Sequence, residues 1–305
     1  MIVPRTRQLV LHTVQYVGLP LLGLLAYDVL VVVAYRMGYL QWAALEQIPL
    51  SLFGSAIGVI LAFRNTTSYA RWWEARTLWG AIVNNCRSWG RLVTTTLRMK
   101  GPGEDTEFRQ TQRRMVYYQI AWVHALRQHL RRLDPLAELA LLLPAEEIAS
   151  LRGQNNVPVA IQQRQSLLLR EALDNGWIDL AQWHAMNQSL DDLVDAQGGA
   201  ERIKNTPMPR QYDYLPQLCA QMFCFLLPLT MVSNLGWFTP LGSSLVGFIF
   251  LTLDKIGRDL EDPFDNTIND IPLTSITRTI EINLRQMLGE TELPPPVVPV
   301  DDVLW

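Results

Sequence analysis

The chain has 305 residues, 49% of them hydrophobic and 18% charged, with a formal net charge of −3. That charge provides no bulk positive field, so nucleic acid is excluded as a partner. The apolar share is too high for a typical cytosolic enzyme and the polar share too high for a transporter of a dozen spans, so a protein part membrane and part water-soluble fits best.

In chain order, the first apolar run extends from Tyr16 to Tyr35 and is broken only by Asp28. It is too long for a signal peptide and lacks a small-residue cleavage site after it, which predicts an uncleaved anchor. As an intramembrane carboxylate, Asp28 is a candidate for function or for a buried structural hydrogen bond, and it would lie near Arg64 or Arg71 only if the spans were strongly staggered. The second run, Ile48 to Phe63, covers roughly 24 Å at 1.5 Å per residue, short of a hydrocarbon core of about 30 Å. It passes without Pro or Gly into Arg64-Asn65 and then into Tyr69, Arg71, Trp72, Trp73 and Glu74. Arg71-Trp72-Trp73 reads as an anchor at the membrane interface, and Glu74 has Arg71 as an i−3 neighbour on the helix surface.

From Arg64 to Arg210 apolar residues recur at spacings of three and four, predicting helices over 64–98, 108–133, 136–142, 160–175 and 178–197. Breaks are expected at Gly101-Pro102-Gly103, Asp134-Pro135, the 153–158 stretch and Gly198-Gly199. Asp179 is placed to cap the helix that follows it, and Pro207 and Pro209 mark a return to the membrane. A third apolar run spans Leu218–Leu235 and a fourth Gly242–Leu253, lengthened by Trp237, Phe238 and Leu241. Alone, the second and fourth runs could be buried helices of a soluble protein; beside their longer neighbours they read as spans. Basic residues fix the orientation: Arg5 and Arg7 before the first run, Arg36 and then Glu46 between the first two, Arg64, Arg71, Arg76, Arg87 and Arg91 after the second, Lys255 and Arg258 after the fourth. Both termini and the central region are therefore expected on the cytoplasmic side of the inner membrane.

The expected organisation is a transmembrane pair in 1–63, a helical cytosolic region in 64–210, a second pair in 211–256, a cytosolic helix in 257–290 and an extended or disordered tail in 291–305. No catalytic constellation accompanies it, so an enzyme is not expected, nor a cofactor. His12, His124, His129 and His184 are scattered; the five-residue spacing of His124 and His129 puts them on different helix faces, which reads as solvated or core-edge histidines rather than zinc ligands. Cys86, Cys219 and Cys224 form no metal or redox pattern and are expected as free thiols.

The stretch LFGSAIGVILAFRNTTSYARWWEARTLWG at 52–80 resembles the bestrophin family, especially its bacterial members. Gly-Gly-Ala-Glu-Arg at 198–202, read as a turn, adds to the likeness, as do Thr206-Pro207-Met208-Pro209, Leu260-Glu261-Asp262-Pro263-Phe264 and Asn269-Asp270-Ile271-Pro272-Leu273. The resemblance spans nearly the whole chain. It implies an all-α membrane protein with four transmembrane helices per subunit, a homopentamer in membrane lipid around a central pore, conducting monovalent ions. The second span would line that pore, and the central region would build a cytosolic vestibule.

Carried over by position, the family's hydrophobic neck falls on Ser55, Val59 and Phe63, residues spaced by four on one helix face. Gly54, Ala56, Gly58 and Ala62 would let neighbouring helices approach closely. Five apolar side chains in a ring make a constriction that water leaves readily, a recognised way to gate ions. Ser55 replaces the bulky apolar residue common there, which predicts a wider outer end and a barrier at Val59 and Phe63. A second, cytosolic restriction falls on Ala181, with Leu180 beside it. The acidic run that holds calcium in eukaryotic members is broken here between Asp262 and Asp270, so calcium gating is not expected. The resemblance implies monovalent cation channels for bacterial members and anion channels for animal ones, and the negative balance of the chain leans the same way, toward cations such as sodium and potassium; chloride, or a non-conducting scaffold, is the alternative.

Overall fold

The computed structural model describes residues 16–40, 49–99 and 105–305; Arg5, Arg7, His12, Glu46, Ile48 and the Gly101-Pro102-Gly103 break lie outside them. The described chain is helical: α1 (Gly18–Arg36), α2 (Leu50–Thr96), α3 (Asp105–Leu130), α4 (Leu136–Leu139), α5 (Ala145–Leu151), α6 (Val157–Asp174), α7 (Leu180–Asn205), α8 (Arg210–Leu235), α9 (Thr239–Asp259) and α10 (Leu273–Met287). An isolated bridge pairs Val300 with Val303. The helices cluster into two compact units, one from Pro4–Trp72 with Pro207–Asp262, the other mainly from Trp73–Thr206 with Pro263–Trp305. α2 contributes residues to both.

The first unit holds the apolar helices. α1, α2 and the α8–α9 stretch are each long and apolar enough to cross a membrane. α8 and α9 are separate helices, joined by a short 3-10 turn over Gly236–Phe238. Gly236 sits at φ +53, a conformation that costs a residue with a side chain, and it closes α8 there. Pro216 and Pro228 lie inside α8; a proline there frees a carbonyl, which membrane helices tolerate when a neighbour supplies a donor. Pro228 leaves the Cys224 carbonyl without its helical donor; the next carbonyl, that of Phe225, accepts from the Tyr27 hydroxyl at 3.2 Å.

The unit's core joins Ile57 and Leu61 of α2 to Ala220, Phe223 and Leu227 of α8, and Val31 and Val32 of α1 to Val232. Asp28 is fully buried. It accepts hydrogen bonds from Ser243 Oγ at 2.9 Å and Ser244 Oγ at 3.3 Å, which ties α1 to α9. The stagger that would have brought it to Arg64 or Arg71 is therefore not needed. Residues 64–72, expected in the cytosolic region, cluster with these helices because their polar side chains are engaged here.

In the second unit Trp79, Trp89 and Trp122 are fully buried, and two of their indole N–H groups find partners: Trp89 Nε1 donates to the Met115 carbonyl at 3.2 Å and Trp122 Nε1 to Gln197 Oε1 at 3.0 Å. Two expectations fail here. α5 has no counterpart among the helices expected from periodicity, being only seven residues long. Gly198-Gly199 breaks nothing: α7 runs through it to Asn205. A Cβ on Gly199 would come within 2.9 Å of Leu78 Cδ2, so this glycine serves close helix packing against α2 rather than a turn.

A polar seam pins α10 onto α3. α10 buries Leu273, Thr277, Ile280, Glu281 and Leu284 along one stripe. Arg127 of α3 donates to Thr277 Oγ1 at 3.2 Å, and Arg131 to Thr274 Oγ1 at 2.9 Å. His124, read from sequence as solvated or at the core edge, is buried. Its Nδ1 lies 2.9 Å from Glu138 Oε1 and its Nε2 3.2 Å from Glu281 Oε2. Two carboxylates facing both ring nitrogens require both to carry protons. Burial pulls the His124 pKa down, but the bonds to Glu138 and Glu281 outweigh it and the value is raised above 6.5. Glu138 and Glu281 move the opposite way: burial raises them, and His124, with Arg127 and Gln128 for Glu138 and the arginines of α10 for Glu281, outweighs it.

This unit generates two tests. Because the folded His124 pKa is raised, its contribution is complete below about pH 6.5 and is lost as pH rises through the higher folded value. The glutamates contribute above 4.5 and fade as pH falls. Thermal melts should thus peak between these limits, and His124→Leu should flatten the alkaline limb and cost about 3 kcal/mol by leaving buried charge uncompensated. Gly199→Leu should cost about 1–3 kcal/mol through overpacking against Leu78. Gly198→Ala, with nothing within 4 Å, should stabilise by about 0.8–1 kcal/mol, measured by the same melts.

Candidate functional site

Within the apolar unit, α2 divides into two faces. Ile57, Leu61, Arg64 and Ser68, at spacings of four, three and four, are buried against the same chain. Ser55, Val59 and Phe63 point elsewhere: two residues along a helix is about 200° around it, so they stand nearly opposite Ile57 and Leu61. All three are exposed in the single chain, Val59 at 55% and Phe63 at 67%. Ser55 Oγ donates to the Ser51 carbonyl at 2.7 Å, so its hydroxyl proton is already engaged by its own helix. Gly54 faces Phe223 of α8, where an added Cβ would lie 3.1 Å from the ring, whereas Gly58 has nothing of its own chain within 4 Å. Of the most apolar window of α2 only 17% is buried within the chain, against 33% for α8–α9. An apolar surface of that extent needs lipid or further protein to cover it.

Directly after Phe63 the buried face turns polar. Arg64 donates to Asp254 Oδ1 at 2.8 Å and to Asp213 Oδ1 at 2.5 Å, with Glu261 at 3.9 Å. Asn65 Nδ2 donates to the Leu253 carbonyl at 3.0 Å, and Arg71 Nε to the Glu261 carbonyl at 2.7 Å. Sequence reasoning missed this constellation. Its trace was there in outline, since Arg64, Asp213, Asp254 and Glu261 all flank apolar runs on the side assigned to the cytoplasm, but their convergence depends on helix register.

In the other unit Leu180 and Ala181 open α7. Asp179 caps that helix as expected, and Gln182 completes a reciprocal capping box: Gln182 N donates to Asp179 Oδ1 at 2.8 Å, and Asp179 N to Gln182 Oε1 at 2.9 Å. Both candidate restriction residues are exposed in the single chain, Leu180 at 61%. The broken acidic stretch is internally engaged: Lys204 binds Asp265, and Asp270 accepts from the Thr267 amide at 3.1 Å and from its hydroxyl. Glu74, read as a partner of Arg71, is bound by Arg202 of α7.

Comparison with known proteins fits this arrangement. Residues 7–286 match the model of the bacterial and fungal bestrophin proteins. A voltage-dependent anion channel-forming protein of Mesorhizobium japonicum is 31% identical over 281 residues, covering 92% of this chain and 86% of that one. The voltage-dependent anion channel-forming protein YneE of Escherichia coli K12 is 35% identical over 251 residues, covering 82% and 80%. The crystal structure of a bacterial bestrophin homologue from Klebsiella pneumoniae superposes with a TM-score of 0.84 at 30% identity, over 90% of this chain and 100% of that one.

These names overturn the preference for cations drawn from the family resemblance and the net charge. The physical flaw lies in the inference: a charge summed over 305 residues does not say which groups border a conduction path, and apolar rings such as Val59 and Phe63 carry no sign. The all-helical fold, the membrane-length helices and the match over most of the length agree: the chain belongs to the bacterial and fungal bestrophin family.

Proposed function

We propose that this chain forms an anion channel, passing monovalent anions such as chloride through a central pore lined by α2. The observation that carries the reading is the unpartnered face of α2, where Ser55, Val59 and Phe63 stand nearly opposite the residues packed on their own chain. Five copies arranged about an axis would cover that face and turn it into stacked rings, the barrier lying at Val59 and Phe63. α1, α2, α8 and α9 are the four spans of each subunit, with both termini on the cytoplasmic side of the inner membrane and lipid around the outside. The second unit forms the cytosolic vestibule, where Leu180 and Ala181 make a looser restriction. No enzymatic step or cofactor is part of this mechanism.

Two physical features support the anion assignment beside the names of the relatives. Among the described residues the first turn of α2 contains no acidic side chain, so the positive end of each helix dipole meets no carboxylate within that turn, and such an end favours anions. An uncharged constriction also passes most readily the ion that sheds water at least cost, and a large, weakly hydrated anion does so more readily than sodium.

Purified protein in planar bilayers tests the reading. Under a sodium chloride gradient the reversal potential should move toward the chloride equilibrium value; movement toward the sodium value, or silence under all conditions, would refute it. Val59→Ala should raise unitary conductance or open probability several-fold by relieving dewetting at the barrier. Ser55→Glu, which places a ring of negative charge at the outer end, should depress chloride permeability relative to sodium while leaving assembly, followed by size-exclusion chromatography with light scattering, unchanged.

A further inference from the structure

We propose that Arg64 is the positioning residue of the neck, fixing the rotation of α2 so that Phe63 and Val59 face away from their own subunit. The proposal rests on the channel reading above and adds the element that sets the aim of its barrier.

Arg64 follows Phe63 directly, and its side chain is completely shielded from solvent. Burying a guanidinium is costly unless its charge and donors are met. Here both terminal nitrogens are met, by groups from two different helices, while the buried Nε has no hydrogen-bond partner among the described residues. NH1 takes Asp254 near the end of α9, and NH2 takes Asp213 in the first turn of α8, with Glu261 just beyond α9 completing the ring. Arg258 holds the other oxygen of Asp254 at 2.9 Å, so this carboxylate is itself clamped. A planar fork that engages two carboxylates from two directions fixes an angle as well as a distance.

Two neighbouring features set the same angle. Asn65 donates to the Leu253 carbonyl. Gly257 makes the room for Asn65: a Cβ there would lie 2.3 Å from Asn65 Oδ1, whereas its 3.5 Å approach to Arg64 Cδ would be an ordinary contact.

Successive residues on a helix are about 100° apart, so holding Arg64 also fixes Phe63. Side-chain tips stand roughly 5–6 Å from the helix axis, and a rotation of about 30° sweeps a tip through roughly 3 Å. Repeated in every subunit, that sweep is comparable to the width of a dehydrated ion. Loosening the Arg64 cluster would thus free a rotation large enough to open or narrow the ring above it. The residue touches no permeating ion in this account and acts only through α2.

The test pairs electrophysiology with spectroscopy. Arg64→Gln removes the charge, Arg64→Lys keeps it without the fork, and Asp213→Asn weakens only the half-exposed partner, which makes it the milder variant should Arg64→Gln fail to assemble. In planar bilayers Arg64→Gln should change open probability several-fold, with Arg64→Lys intermediate. In a background carrying both Val59→Ala and Phe63→Ala the same change should have no further effect, because the side chains it aims are gone. Independently of any current, a nitroxide at Val59→Cys, in protein with Cys86, Cys219 and Cys224 replaced by alanine, should show inter-subunit distances that shift or broaden with Arg64→Gln and less so with Asp213→Asn.

Unchanged spin-label distances would overturn the proposal, and so would an Arg64→Gln effect that persists undiminished in the Val59→Ala, Phe63→Ala background. If the parent protein carries no current, the channel reading falls, and the label distances alone decide whether Arg64 sets the rotation of α2.

Discussion

A helix that is apolar around most of its circumference but packed on its own chain along one stripe sets the terms for the rest of the molecule. α2 satisfies Ile57 and Leu61 against α8 and leaves Leu52, Phe53, Val59, Ile60 and Phe63 uncovered. In water such a surface would drive indiscriminate association. In a bilayer, where lipid is as apolar as leucine, association must come from close packing and from polar contacts that fix geometry. The small residues Ala56, Gly58 and Ala62 on that helix supply the first. The buried ions that follow Phe63 supply the second only within the chain, holding α2 to α8 and α9.

Polar groups recur wherever a helix must be held at a defined angle rather than merely covered. Asp28 with Ser243 and Ser244 holds α1 to α9. Arg64 with Asp213 and Asp254 holds α2 to α8 and α9. In the other unit, His124 between Glu138 and Glu281 holds α10 to α3. Apolar contacts can slide by a fraction of a turn at little cost, whereas a hydrogen-bonded charge in a low-dielectric setting cannot. In return, each such cluster is intolerant of losing one member.

The sequence made some of this legible and concealed the rest for identifiable reasons. The apolar runs were readable because few water-soluble folds need so long an uncharged stretch. The Asp179 cap was readable because an acidic residue before an apolar-periodic segment has a local cause. That Ser55, Val59 and Phe63 share one helix face could be drawn from their spacing, but which face of α2 packs on its own chain shows only in the fold, where Ile57 and Leu61 are the buried residues. Gly198-Gly199 misled, because a glycine pair carries the same letters whether it ends a helix or admits Leu78 of another. The partners of His124 and Arg64 were hidden because Glu138, Glu281, Asp213 and Asp254 meet them only in the folded helices. Ion sign was misjudged by averaging charge that matters only where it is placed.

The pairing of Asp28 with Ser243 has a consequence for how the protein is made. The two residues are 215 positions apart, so the carboxylate emerges from the ribosome long before the hydroxyl that will satisfy it. A lone aspartate at the centre of an inserting segment costs about 2.5–3.5 kcal/mol, enough to make early lodging of α1 in the lipid reversible. Synthesis of α9 brings the hydroxyls that offset that penalty, so α1, made early, gains its full hold only when α9, made late, arrives.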